Sequence, residues 1–251
     1  VALGDNALGS GSLSGDFNTA IGTNALLANT SADANTAIGR SSLCSNTTGD
    51  CNTGLGMNAL LGNTEGFGNV AVGRSSMVAN TTGDDNVAVG QNSLVSNTTA
   101  DNNTAVGTCA LNANTTGAAS VAIGSHALKA HTTGGNNIAI GLCSGLKTTT
   151  GFQNFSAGSF SLCNNTTGCK NVALGQNAMK VSTTGCFNTA LGMGSLALNE
   201  TASNNTAVGA CSMAANTTGT GNVAVGAEAL DANTTASYNT AVGKSSLTAN
   251  T

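Results

Sequence analysis

Hydrophobic and polar positions recur along this chain with a period of 17. A short apolar run of Ala and Ile, Val or Leu ends at Gly. Two variable residues, Ala or Ser, Leu, two more variable residues and the polar run Asn-Thr-Thr-Gly follow, before two further variable residues and an Asn restart the pattern. Counting from the residue after that Asn makes Thr19 position 1. Residues 19–239 are then thirteen units without insertion or deletion, preceded by an 18-residue unit (1–18) and followed by a partial one (240–251). Position 4 is Gly in every unit, position 8 is Leu or Met except at Gly145, and position 17 is Asn except at Ser120. Such strict phasing predicts a stacked repeat in which each unit meets only its neighbours, because a change in length would break the ladder between units.

Positions 1 to 3, rich in Thr, Val and Ile, predict a β-strand that ends at the flexible Gly. Positions 7 to 10, around Leu, predict a second short strand, and Asn-Thr-Thr-Gly predicts a turn held by its own side chains. A helix is excluded because the Gly and β-branched positions interrupt every stretch that would be long enough. The expected fold is all-β, a parallel β-solenoid with one 17-residue unit per turn and residues 1–251 forming a single array. At about 4.8 Å per turn the array would be a rod near 70 Å long. Positions 3 and 8 supply the large apolar side chains and are expected to point inward, with position 12 outward or in the turn.

Charge refines this map. The chain has 7 basic and 11 acidic residues, a formal net charge of −4, and only 7% charged and 3% aromatic residues. All the charges fall at positions 5, 6, 9, 10, 12, 13, 15 and 16, among them Arg40, Lys129, Asp84 and Glu228, which marks these positions as solvent-facing. Thin, scattered charge excludes an electrostatic footprint for nucleic acid. Two large apolar residues per unit make a thin core, so association between chains is expected, with the small residues at positions 2 and 7 allowing close packing. Proline, which would remove ladder donors, is absent.

The Val-Ala-Ile-Gly core at Val121 to Gly124, with Val-Ala-Val-Gly at Val70 to Gly73 and Val87 to Gly90, is followed two residues later by Ala-Leu or its equivalent. It resembles the head repeats of trimeric autotransporter adhesins, and the longer unit with Asn-Thr-Thr-Gly is similar to repeats of phage and large-virus tail fibres. The resemblance spans essentially the whole chain, although the repeat here is longer than the adhesin's. It implies a left-handed β-roll with three chains side by side, a homotrimer or end-to-end filament that is extracellular, at a cell surface or on a virion. A host-surface glycan or receptor is the external partner it implies. The sequence has no secretory signal or membrane-spanning run, and it begins and ends within repeats, which reads as a segment of a longer chain without direct membrane insertion.

Candidate chemistry is sparse. Cys169 and Cys186 occupy position 15 of consecutive units, where stacking would set them about 4.8 Å apart, within disulfide range. They are the one expected pair, because Cys109, Cys143 and Cys211 share position 6 in non-adjacent units, Cys44 and Cys163 share position 9 seven units apart, and Cys51 is alone at position 16. Asn29, Asn46, Asn80, Asn97, Asn114, Asn165, Asn216 and Asn233 lie in Asn-x-Ser/Thr sequons that would accept glycans in a eukaryotic secretory pathway, whereas an internal Asn ladder explains them otherwise. The Thr column at position 12 has the regularity of an ice- or glycan-binding face, against its simpler role of satisfying a turn. Asp33, Asp50, Asp84 and Asp101 share position 15 but lack a calcium-roll motif. His126 and His131 read as substitutions at a variable and a turn position. No nucleophile, base and carboxylate converge on a distinctive site. The expectation is therefore a non-enzymatic fibre or adhesive segment with no cofactor and no metal, acting as spacer or attachment shaft. Its alternatives are a filament subunit or a solenoid that binds ice or glycan through its Thr face.

Overall fold

The computed structural model describes residues 1–9 and 14–250. The chain forms two compact units, residues 1–125 and 126–251. In the first, β1 (Ala2–Leu3), β2 (Thr19–Ile21), β3 (Thr36–Ile38), β4 (Thr53–Leu55), β5 (Val70–Val72), β6 (Val87–Val89), β7 (Thr104–Val106) and β8 (Val121–Ile123) pair in chain order, each parallel to the next. In the second, β9 (Ile138–Ile140), β10 (Phe155–Ala157), β11 (Val172–Leu174), β12 (Thr189–Leu191), β13 (Thr206–Val208), β14 (Val223–Val225) and β15 (Thr240–Val242) do the same. Register advances by one repeat per strand, Ala71 opposite Ala88 and Ala173 opposite Ala190. The one longer repeat is absorbed without a slip, since Ala2 faces Ala20. Both units are thus parallel β-solenoids with one strand per repeat.

The invariant Gly at position 4 follows from how closely the turns approach. Gly90 has φ of +137°, and a Cβ there would lie 2.6 Å from the carbonyl oxygen of Gly107. No L-residue both adopts that conformation and tolerates that contact.

Two sequence expectations are corrected. Positions 5 to 10 form a turn, not a second strand. Residues at positions 6 and 8 are left-handed, as at Asn92 (φ 56°) and Leu94 (φ 48°), which a strand does not permit. The segment still ladders to its neighbours through main-chain bonds such as Leu94 N to Ala110 O at 3.0 Å. Position 3 also points the other way. A strand alternates faces, so positions 1 and 3 share one and position 2 the other. It is Ala at position 2 that enters the stack, fully buried at Ala88, Ala105, Ala190 and Ala207. Ile, Val and Leu at position 3 stay on the outer surface, with Leu55 43%, Ile123 40% and Ile140 40% exposed. The interior is too narrow for a large residue at position 2 or 3, because Leu or Met at position 8 already fills it. Leu94, Leu111, Met179 and Leu196 are among the largest fully buried side chains.

Candidate functional site

Polar chemistry in this molecule runs in columns along each stack, and most of it is internal. The Asn at position 17 accepts on Oδ1 the backbone N–H of the Asn one turn on, as in Asn69 N to Asn52 Oδ1 at 2.9 Å, and donates Nδ2 to a position 14 carbonyl, as in Asn69 to Gly83 at 2.8 Å. The Asn at position 11 makes a second interior column. Asn80 Nδ2 donates to Asn63 Oδ1 at 2.7 Å and to Gly83 O at 2.9 Å, and Asn97 repeats the pattern on Asn80 at 2.8 Å. These ladders satisfy buried amides and backbone groups that would otherwise each cost about 1–3 kcal/mol.

The eight asparagines named above as glycan acceptors belong to that second column. Asn29, Asn46, Asn80, Asn97, Asn114, Asn165, Asn216 and Asn233 are fully buried. A glycan on Nδ2 would have to displace the neighbouring turn, so the folded stack presents none of them for glycosylation.

The Thr column at position 12 is equally committed. Thr81 Oγ1 donates to Thr98 O at 3.0 Å and Thr166 Oγ1 to Thr183 O at 3.1 Å, so these hydroxyls take the turn-satisfying role and close each turn against the next one. At position 15 the side chain is an acceptor for the N–H one turn earlier. Asp50 Oδ1 receives Asp33 N at 2.7 Å, Asp101 Oδ1 receives Asp84 N at 2.8 Å, and Ser237 Oγ receives Thr220 N at 2.9 Å. The Asp residues of this column are thereby explained as ladder acceptors. Among the described residues no three His, Cys, Asp or Glu side chains come together as a metal site would require, and no pocket opens.

Cys169 and Cys186 stand side by side in this same column, as free thiols with Sγ atoms 2.7 Å apart, and Cys186 Sγ also accepts Cys169 N at 3.1 Å. Burial, helped by the neighbouring thiol, pushes the Cys169 pKa up to about 11. Burial also raises Cys44 and Cys163. Cys51, Cys109, Cys143 and Cys211 are free and at least partly accessible.

Sequence reasoning passed over an irregularity in the second unit. His131 replaces Asn in the position 11 column and is fully buried, with Nε2 3.1 Å from Asn137 Nδ2 and Nδ1 without a partner. Burial lowers its pKa to about 4. The next turn yields space for the ring, carrying Thr148 at position 11 and Gly145 where Leu stands elsewhere; a Cβ on Gly145 would approach Leu128 Cδ2 at 2.9 Å. Thr148 Oγ1 is itself buried and unpartnered. The signal was the coincidence of three exceptions within one repeat length.

Compared with protein-family models and with curated proteins, the chain matches none. Function has to be argued from the surfaces the fold leaves open.

Proposed function

We propose that the chain is a non-enzymatic fibre segment, displayed outside a cell or on a virion, that acts as spacer or attachment shaft and associates with copies of itself along the stack. The observation that carries this reading is the outer face of the strands. Positions 1 and 3 present Thr, Val, Ile and Leu in columns, no position from 1 to 4 carries a charge in any repeat, and Ile138, Ile140, Val223 and Val225 are each more than a third exposed. A repeating apolar surface on a soluble fold is normally covered. A second copy matches its pitch at every turn, which a partner of different periodicity does not. The residues first expected at such an interface, at positions 2 and 7, are buried within the chain, so contact through positions 1 and 3 replaces that arrangement. Resemblance to adhesin heads supports three chains and a left-handed winding, and the use of Asn, Thr and Asp side chains as internal ties supports a rigid shaft over a reactive surface.

Native mass spectrometry and sedimentation of the purified chain test the reading. The expected result is a trimer whose melting temperature falls on dilution. A well-folded monomer at micromolar concentration, with dilution-independent stability, overturns it.

A further inference from the structure

Position 16 is left-handed in every described repeat, with φ from 54° at Asp85 to 66° at Gly68. That conformation favours Gly, Asn and Asp, and other L-residues adopt it at a cost of roughly 1–2 kcal/mol. Several repeats comply, with Asp85, Asn102, Asn136, Asn204 and Gly221. Others do not: Ala34, Cys51, Ala119, Gln153 and Lys170 take the same conformation, as do three aromatics, Phe17 (φ 60°), Phe187 (φ 59°) and Tyr238 (φ 62°). Leu at position 8 is left-handed too, but there complete burial offsets the strain, as at Leu196 and Leu230. No such compensation exists at position 16, where Phe187, with a turn stacked on either side, is still 54% exposed. Neither backbone preference nor core packing accounts for an aromatic there, and a costly exposed aromatic is what a ligand contact requires.

The rings of Phe187 and Tyr238 lie on one edge of the second unit. Phe152, at position 15, is 42% exposed. Lys170 of the next turn sets its ammonium 5.0 Å from the ring centre of Phe187, one turn further on. Tyr238 lies against Gly221, whose missing side chain leaves the ring room to lie flat: a Cβ there would be 2.9 Å from Cδ1. Phe152 to Phe187 is two turns and Phe187 to Tyr238 three, about 10 and 14 Å at the strand spacing. The exposed amides of Gln153 and Asn204 fall between them. Positions 15 and 16 of the second unit contain no carboxylate, whereas in the first unit they hold Asp16, Asp33, Asp50, Asp84, Asp85 and Asp101. The first unit also exposes Phe17 and Phe67 in these columns, but there the rings are set among those carboxylates, whereas the edge of the second unit is free of them.

We infer that the edge running from Phe152 to Tyr238 is a binding strip for a neutral polysaccharide strand of hexose units lying along the stack. Sugar rings offer an apolar C–H face, which a flat aromatic covers, and hydroxyl rims, which amides engage as both donor and acceptor. A single-stranded nucleic acid also stacks on aromatics but needs a cationic groove, and Lys170 is the only cation in these two columns. A protein partner needs a contiguous apolar patch, and here polar residues separate the rings. The strip gives the attachment part of the fibre reading a ligand class and rests on that reading, but it does not depend on self-association.

Affinity electrophoresis through gels containing mixed-linkage β-glucan, galactomannan, amylopectin or dextran, with pull-down on cellulose and chitin, tests it. At least one of these should retard or capture the wild-type chain. Phe187→Asn and Tyr238→Asn should each weaken that binding by about tenfold. Their melting temperatures should be unchanged or raised, because Asn suits the left-handed site. Phe155→Thr, on the strand face, should bind as wild type. The inference is overturned if no polysaccharide engages the wild type, if the Phe187→Asn/Tyr238→Asn double variant still binds, if Phe155→Thr is equally impaired, or if poly(U) binds in their place. Native mass measured on the same samples reports self-association separately, so failure of the strip and failure of the fibre reading are told apart.

Discussion

Replacing Ser182 by Asn should stabilise this protein. Ser182 occupies position 11, fully buried, where most repeats have Asn, and its hydroxyl has no partner. Its neighbour suffers as well, because the Oδ1 of Asn165 faces the missing amide and is also buried and unpartnered. On the other side, Asn199 Nδ2 donates only to Ala202 O at 3.1 Å, whereas Asn216 Nδ2 reaches both Gly219 O and Asn199 Oδ1, each at 3.0 Å. An Asn at 182 would donate to Asn165 Oδ1 and Gly185 O and accept from Asn199 Nδ2. Gly185 O already receives Asn171 Nδ2 at 2.7 Å, but a shared acceptor is normal here: Gly168 O takes Asn154 and Asn165 together. Each completed bond contributes about 1 kcal/mol net, and the stranded Asn165 oxygen adds a comparable relief. Ordering the longer side chain costs up to about 1 kcal/mol. The expected gain is therefore about 2–3 kcal/mol, seen as a rise of about 5–10 °C in the thermal midpoint. Ser182→Ala is the control: it removes an unsatisfied hydroxyl without rescuing Asn165, so it should gain less than Asn. A melting temperature for Ser182→Asn at or below wild type, or below that of Ser182→Ala, would refute the ladder argument.

Ile140→Asp, at a residue 40% exposed on the strand face, should leave circular dichroism unchanged yet shift native mass toward monomer, whereas Ala190→Asp, at a fully buried position 2, should prevent folding by placing an unpaired charge in the stack. His131 should make the fold acid-sensitive. Its folded pKa, about 4 against 6.5 for the free group, means that only the unfolded chain takes up the proton in between, so its contribution is complete above pH 6.5 and declines as pH falls toward 4, by about 3 kcal/mol in all; denaturant melts of wild type and His131→Asn across that range should show the slope in the first and its loss in the second. Treatment with oxidised glutathione should join Cys169 to Cys186, with loss of two hydrogen atoms from the protein and release of two glutathione thiols. Closing a loop of one repeat should add about 3 kcal/mol, a gain that peptide mapping and a reducing-agent control would check and Cys186→Ser would abolish.

The period of 17 carried most of the architecture. One insertion-free repeat admits a single stacking register, and Gly at position 4, Leu at position 8 and the adjacency of Cys169 and Cys186 all follow from laying repeat upon repeat. Sidedness did not follow. A three-residue strand can bury either its middle residue or its two ends, and hydrophobicity alone chooses Ile123 over Ala122. The structure chooses Ala122, as it chooses Ala190 in the second unit, where Leu196 and the Asn columns leave room only for a methyl group. The second apolar run was misread for a related reason: Leu94 is buried through a left-handed turn that its own propensity opposes, and only packing in the assembled stack makes that conformation worthwhile. The same closure decides the chemistry, since whether Asn80 is a glycan acceptor or an interior rung, and whether Thr81 faces a ligand or the next turn's carbonyl, depends on what stands one turn away. Sequence spacing fixes which residues are stacked on one another; the interior volume left after stacking fixes which way each one points.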